Sequence, residues 1–232
     1  MILDLVGTQN PTALHIGAGV FIAAIVPVAL MTKGAPDLEG GSGANVISFL
    51  LSAPIATIAG LLFGMIEPSA FNLLPLYGLG VGLPLSEATA LISAMALGNM
   101  LQIPLGILAD RIDRRFMLLA CGLVGAGLTL SLPALSAYPL ALLVGIFIWS
   151  GLASGFYTIG LTLLGARFRG ADLAHANATF VILYNIGLLT GPPLVGAAMD
   201  ALPPHGFFWS LSVIFIGYAA LVGTRLALGR SG

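Results

Sequence analysis

The sequence predicts an all-α protein, a polytopic membrane helix bundle of about seven transmembrane helices. Three observations predict it. The chain is 58% hydrophobic and only 7% charged, with a mean hydropathy of +1.06. A soluble domain carries about 25% charge, so this chain could not cover its surface with polar groups in water. Its uncharged stretches recur at the length of a bilayer crossing, about 20 apolar residues each. They are separated by short segments rich in charge, Pro and Gly.

The first uncharged run holds a helix over 12–32, behind a leader that contains Asp4 and has no basic n-region, unlike a cleaved signal peptide. Lys33 and a Gly/Pro/Ser-rich linker over 34–50 follow, so the chain reads as a first helix (1–33), that linker and a six-helix region (51–232). Helix two covers 54–80 and is interrupted by Glu67. Helix three covers 87–109. The uncharged run 116–166 would be about 76 Å long as one helix, against a hydrocarbon core of about 30 Å. It must turn, and Pro133 and Pro139 supply the break, giving helices over 114–132 and 139–166. Helix six covers 174–199, and helix seven 206–226 after Pro203 and Pro204.

With seven crossings, alternate loops fall on opposite sides. Lys33, Arg111, Arg114, Arg115, Arg167, Arg169, Arg225 and Arg230 are the chain's 8 basic residues, and all fall on one side. The positive-inside rule makes that side cytoplasmic. The expected location is a bacterial cytoplasmic (inner) membrane, with the amino terminus outside and the carboxyl terminus inside. Basic loops at inverted places in helices two to four and five to seven suggest an inverted 3+3 repeat, a common build for secondary transporters.

The sharpest local feature is the polar hairpin 106–115. Asp110, Arg111, Asp113, Arg114 and Arg115 crowd between the uncharged runs 88–109 and 116–166. Gly106 would admit a neighbouring helix, Asp110 and Arg114 are spaced to pair, and the arginines suit the headgroup level. The bland alternative is an anchor with no further role.

The spacing Gly106-x-Leu108-Ala109-Asp110-Arg111-x-Asp113-Arg114-Arg115 resembles motif A of the major facilitator superfamily (MFS), with Asp113 where the pattern usually has Gly. Gly191-Pro192-Pro193-Leu-Val-Gly196 is similar to the Gly-Pro-rich eleventh helix of bacterial members. In that register the first helix is the sixth of such a transporter, and the rest is its carboxyl-terminal half. The resemblance implies transport of a small solute by alternating access. It implies that the 106–115 motif, with Gly106, Asp110, Arg111, Asp113, Arg114 and Arg115, acts as a cytoplasmic gate latch. Members have twelve helices, so seven point to an inactive fragment or one subunit of a split transporter, completed by an amino-terminal half or partner chain.

Glu67 is the most informative single residue. It falls halfway along helix two, where a charge costs about 2.5–3.5 kcal/mol by insertion scales. Pro68 follows and cannot bond back to the carbonyl of Gly64, so a kink facing a cavity is expected. The functional reading is a substrate or proton-coupling carboxylate, and the structural alternative is a protonated Glu bonding a neighbouring helix. At 1.5 Å per residue, Asn99, Gln102, Trp149, Tyr184 and Asn185 lie near the same depth. They are candidate lining, as are Asn72 and Tyr77 further along helix two. Gly151 and Gly155 read as a packing face, and Phe207, Phe208 and Trp209 as an interfacial aromatic belt.

Other classes lack support. Cys121 is alone, and His15, His175 and His205 are scattered without metal-ligand spacing. No metal or cofactor is expected. No Gly-rich phosphate loop follows a strand, and no nucleophile–base pair marks a membrane enzyme. A retinal protein needs a lysine in its last helix, but Lys33 is the only lysine. Near-neutral charge makes nucleic acid a poor partner. A seven-helix receptor that merely binds remains the rival. The expected partners are the bilayer, a small-molecule substrate and protons.

Overall fold

A computed structural model describes residues His15, Gly19, Ile22, Ala23, Val26 and 46–229. The chain divides into two units, Met1–Glu39 and Gly40–Gly232. In the first unit the five described residues are helical. The rest of the helix expected over 12–32, Lys33, residues 34–45 of the linker and Arg230 lie outside the described residues.

In the second unit the short helix α1 (Val46–Ser52) takes up residues 46–50, which the sequence placed in the linker. Then come α2 (Pro54–Gly80), α3 (Leu85–Gly98), a 3₁₀ turn (Asn99–Leu101), α4 (Gln102–Ala109), α5 (Arg114–Ser131), a second 3₁₀ turn (Leu132–Leu135), α6 (Pro139–Arg167), α7 (Gly170–Ala201) and α8 (Gly206–Ala227). The described residues include no strand. Six of these segments are long and apolar enough to cross a membrane, with Leu85–Ala109 and Arg114–Leu135 each counted as one span.

Local chemistry explains the boundaries. Pro54 and Pro139 open α2 and α6, where their missing N–H costs nothing. The Asp113 side chain caps α5, its Oδ1 accepting the backbone N–H of Arg115 at 2.8 Å. That gives the departure from the glycine of motif A a local structural reason.

The third expected helix, 87–109, is not uniform. Pro104 has no N–H to offer the carbonyl of Met100. The chain tightens there into a 3₁₀ turn, in which the N–H of Gln102 bonds Asn99 O. Pro68 and Pro75, by contrast, lie inside a helix that continues from Pro54 to Gly80. Glu67 therefore does not interrupt helix two. It stands at its centre, thirteen residues from each end (67 − 54 and 80 − 67).

The six spans form two triplets, α2 to α5 and α6 to α8, that interlock. The first span of each triplet lies along the second span of the other: α2 packs most heavily on α7, and α6 packs along Leu85–Ala109. The third spans, α5 and α8, pack on each other. This exchange of partners is consistent with an inverted repeat.

Glycines permit both main crossings. A Cβ at Gly64 would run into the backbone carbonyl of Tyr184, and one at Gly98 into the backbone carbonyl of Phe147. The expected close approach at Gly106 is not needed, since a Cβ there would sit 3.4 Å from Thr158 Cγ2. Gly151 is tight as the sequence suggested, with Leu101 Cβ 2.7 Å from where its Cβ would be.

A core of α5, α6 and α8 is filled by Trp149, Phe156, Phe215 and Tyr218, all buried. The aromatic belt needs correction. Phe207 and Phe208 are both fully buried, and their rings lie 5.9 and 4.7 Å from that of Tyr77. Only Trp209 is exposed, at 45%. Three consecutive residues of a helix point in three directions, so one of them can face lipid while two fill the core.

Candidate functional site

The candidate site is a cavity of about 270 Å³ lined by Phe63, Glu67, Asn99, Gln102, Ser154, Tyr157 and Tyr184. Four segments build it. Phe63 and Glu67 are four apart and share a face of α2. Asn99 opens the 3₁₀ turn and Gln102 follows it. In 3₁₀ geometry residues three apart eclipse, so the turn caused by Pro104 stacks these two amides toward one cavity. Ser154 and Tyr157 come from α6, and Tyr184 from α7.

Hydrogen bonds tie the segments together across the cavity. Tyr184 Oη donates to Glu67 Oε2 at 3.0 Å, linking α7 to α2. Thr158 Oγ1 donates to Gln102 Oε1 at 3.1 Å, linking α6 to α4. Buried Ser154 donates to the Gly151 carbonyl at 2.8 Å within α6. Among the described residues no basic side chain stands within 4.0 Å of Glu67. Among the described residues the Tyr184 phenol supplies the one hydrogen bond to this carboxylate. Hydrogen bonding to a charged acceptor stabilises more than a neutral bond, by about 1.5–3 kcal/mol. Against the cost of a charge in hydrocarbon, this is only partial compensation.

Three rings share the cavity with the carboxylate. Phe63 and Tyr157 have centroids 5.5 Å apart, Phe63 and Tyr184 6.0 Å, and Tyr157 and Tyr184 6.0 Å at 73°.

Of the residues chosen from sequence, Glu67, Asn99, Gln102 and Tyr184 meet here. Three others point elsewhere. Asn72 is exposed and donates to the carbonyl of Pro68 at 2.7 Å. It lies five residues beyond Glu67, about 140° further round the helix. Asn185 is exposed and bonds Val181 O at 2.8 Å, about 100° from Tyr184. Trp149 is fully buried and donates through Nε1 to Thr129 Oγ1 at 2.8 Å. These three do not line this cavity, which corrects the expected lining to that extent. Tyr77 is likewise buried away from the cavity, its hydroxyl without a partner among the described residues. Phe63, Ser154, Tyr157 and Thr158 were not singled out as lining. Ser154 and Tyr157 were hidden in a stretch, around Gly151 and Gly155, that reads as packing.

The hairpin forms a second polar feature, a cavity of about 300 Å³ lined by Ala109, Asp110, Arg111, Ile112, Asp113, Arg114, Arg115 and Leu163. Arg114 Nη2 pairs with Asp110 Oδ1 at 3.2 Å, as the spacing predicts. Arg114 Nε is buried without a partner among the described residues. Gly106 lies outside this lining. No group of three or more acidic, His or Cys side chains able to hold a metal occurs among the described residues.

Six apolar spans in two interlocked triplets, with a half-buried carboxylate facing a polar cavity, define a polytopic integral membrane protein. Residues 99–229 match the family model of the Major Facilitator Superfamily, and the chain belongs to that family. It is 27% identical over 171 residues to the uncharacterized MFS-type transporter YfkF of Bacillus subtilis (strain 168), covering 72% of this chain and 42% of that protein. The chain thus spans less than half the length of this curated relative. No solved structure matches it. The family points to a transporter rather than an enzyme, and the arrangement is consistent with the carboxyl-terminal half of such a protein.

Proposed function

We propose that the chain provides the carboxyl-terminal half of a proton-coupled secondary active transporter that moves a small solute by alternating access. The observation that carries this reading is the Glu67–Tyr184 pair: the central residue of α2 bonded across to α7, on the wall of a cavity that also holds Asn99 and Gln102. In this reading Glu67 takes up and releases the coupling proton. Tyr184 holds the carboxylate in place, and the two amides orient the solute. Asp110, Arg111 and Arg114 form the gate latch on the cytoplasmic side of a bacterial inner membrane.

A second six-helix unit, in the same polypeptide or another, would complete the pathway. The burial pattern supports this: 17% of the most apolar stretch of Leu85–Ala109 is buried within the chain, against 61% for Pro54–Gly80. That weakly covered span also carries Asn99 and Gln102 and leads into the hairpin.

The test is Glu67→Gln in the complete transporter, reconstituted with a pH gradient and a compound panel. The variant should express normally and lose pH-driven transport altogether. Unchanged pH-driven transport would refute the role of Glu67.

A further inference from the structure

We infer that the α2–α6–α7 cavity recognises an organic ammonium ion, a small alkylated or quaternary cation held between the Glu67 carboxylate and the rings of Phe63, Tyr157 and Tyr184. This rests on the reading of the cavity as the solute site, and adds the chemical class. Three features carry it. The cavity wall holds one acidic and no basic side chain, which disfavours an anion. Tyr184 occupies Oε2 of Glu67, and no other bond to that carboxylate exists among the described residues, so Oε1 is open to a ligand. Three rings with centroids 5.5 to 6.0 Å apart share the cavity with that carboxylate. Rings attract cations through their negative faces, most strongly where water is excluded.

Each alternative would need a different wall. A neutral sugar would be served by paired amides and carboxylates around a single ring; here aromatic rings outnumber the two amides, Asn99 and Gln102. A divalent metal ion favours several charged oxygen ligands, and Glu67 is the one acidic side chain in the lining. At about 270 Å³ the cavity is at the small end for ligand pockets, which suits a compact cationic head.

The experiment measures binding of choline and of its uncharged carbon isostere, 3,3-dimethylbutan-1-ol, to the purified full chain in nanodiscs. Choline should bind saturably, and the isostere about tenfold more weakly or worse. Glu67→Gln should abolish that preference. Tyr157→Phe keeps the ring face and should stay within about twofold of the parent, whereas Tyr157→Leu should weaken choline about fivefold. The comparison of two ligands on the unaltered chain needs no variant to fold. Equal binding of the two ligands overturns the cation class while leaving a solute cavity. Absence of saturable choline binding up to about 10 mM, beyond the millimolar range of weak ligands, overturns it too. Glu67-dependent choline binding alongside unchanged pH-driven transport in Glu67→Gln would sustain this inference and remove the proton-coupling role.

Discussion

At the crossing of α2 with α7, Gly64 lies against the backbone of Tyr184; at the crossing of α6 with Leu85–Ala109, Gly98 lies against the backbone of Phe147. The two contacts occupy corresponding places in the two triplets. Beside the second, Ser150 Oγ donates to Met95 O at 3.0 Å and is 1% exposed. Beside the first, Tyr184 donates to a half-buried carboxylate that faces a cavity. The same backbone device thus supports a sealed joint in one place and an open polar site in the other. Close approach by itself is not a functional signal. What separates the two is whether the polar group beside it is satisfied locally or left facing space.

Breaking the joints should have the largest effect. Gly64→Leu and Gly98→Leu each drive a side chain into a backbone carbonyl, and overpacking of this kind costs about 3 kcal/mol or more. Thermal unfolding in detergent should show both strongly destabilised, and equally so if the two crossings are structurally equivalent. Tyr184→Phe should separate them. It removes the hydroxyl and its bond to a charged acceptor, so stability should fall by about 1.5–3 kcal/mol, and pH-driven transport by the completed protein should fall about tenfold, or about 1.4 kcal/mol in barrier. A matching Ser150→Ala should leave transport unchanged and lower stability by about 1 kcal/mol for the lost hydrogen bond. The smallest effect belongs to Asp113→Ala, expected to lower stability by about 0.5–1 kcal/mol through loss of the α5 cap. Hydrogen exchange at the first turn of α5 would report it.

The division between what the sequence revealed and what it hid follows from the solvent. Spans and turns were legible because charge, Pro and Gly interrupt apolar runs at bilayer length. Apart from the 3₁₀ turns, α2 and α5 to α8 lie within a few residues of where that punctuation placed them. Depth was legible too, which is why Glu67, Asn99, Gln102 and Tyr184 were found together. Rotation about the helix axis was not. In water a polar stripe marks the outside of a helix, but in lipid both the outside and the core are apolar. Trp149 and Asn185, chosen for their position along the helix, therefore had the wrong azimuth, and Asn72, further along helix two, did too. Phe63 and Tyr157 were overlooked because an aromatic residue gives no sign of whether it faces lipid, core or cavity. The turn at Asn99–Leu101 could have been anticipated from Pro104, which acts on the carbonyl four residues earlier.

That turn makes the span Leu85–Ala109 adjustable in a way the continuous helices are not. A 3₁₀ helix rises about 2.0 Å per residue and turns 120°, against about 1.5 Å and 100° for an α-helix. Rewinding its three residues to α geometry would shorten the span by about 1.5 Å and swivel α4 by about 60°. The stacked amides would be parted, and the hairpin at the end of α4 would turn with it. Such a rewinding would make a few backbone dihedrals a screw thread, coupling a small change in length at the cavity to rotation at the hairpin.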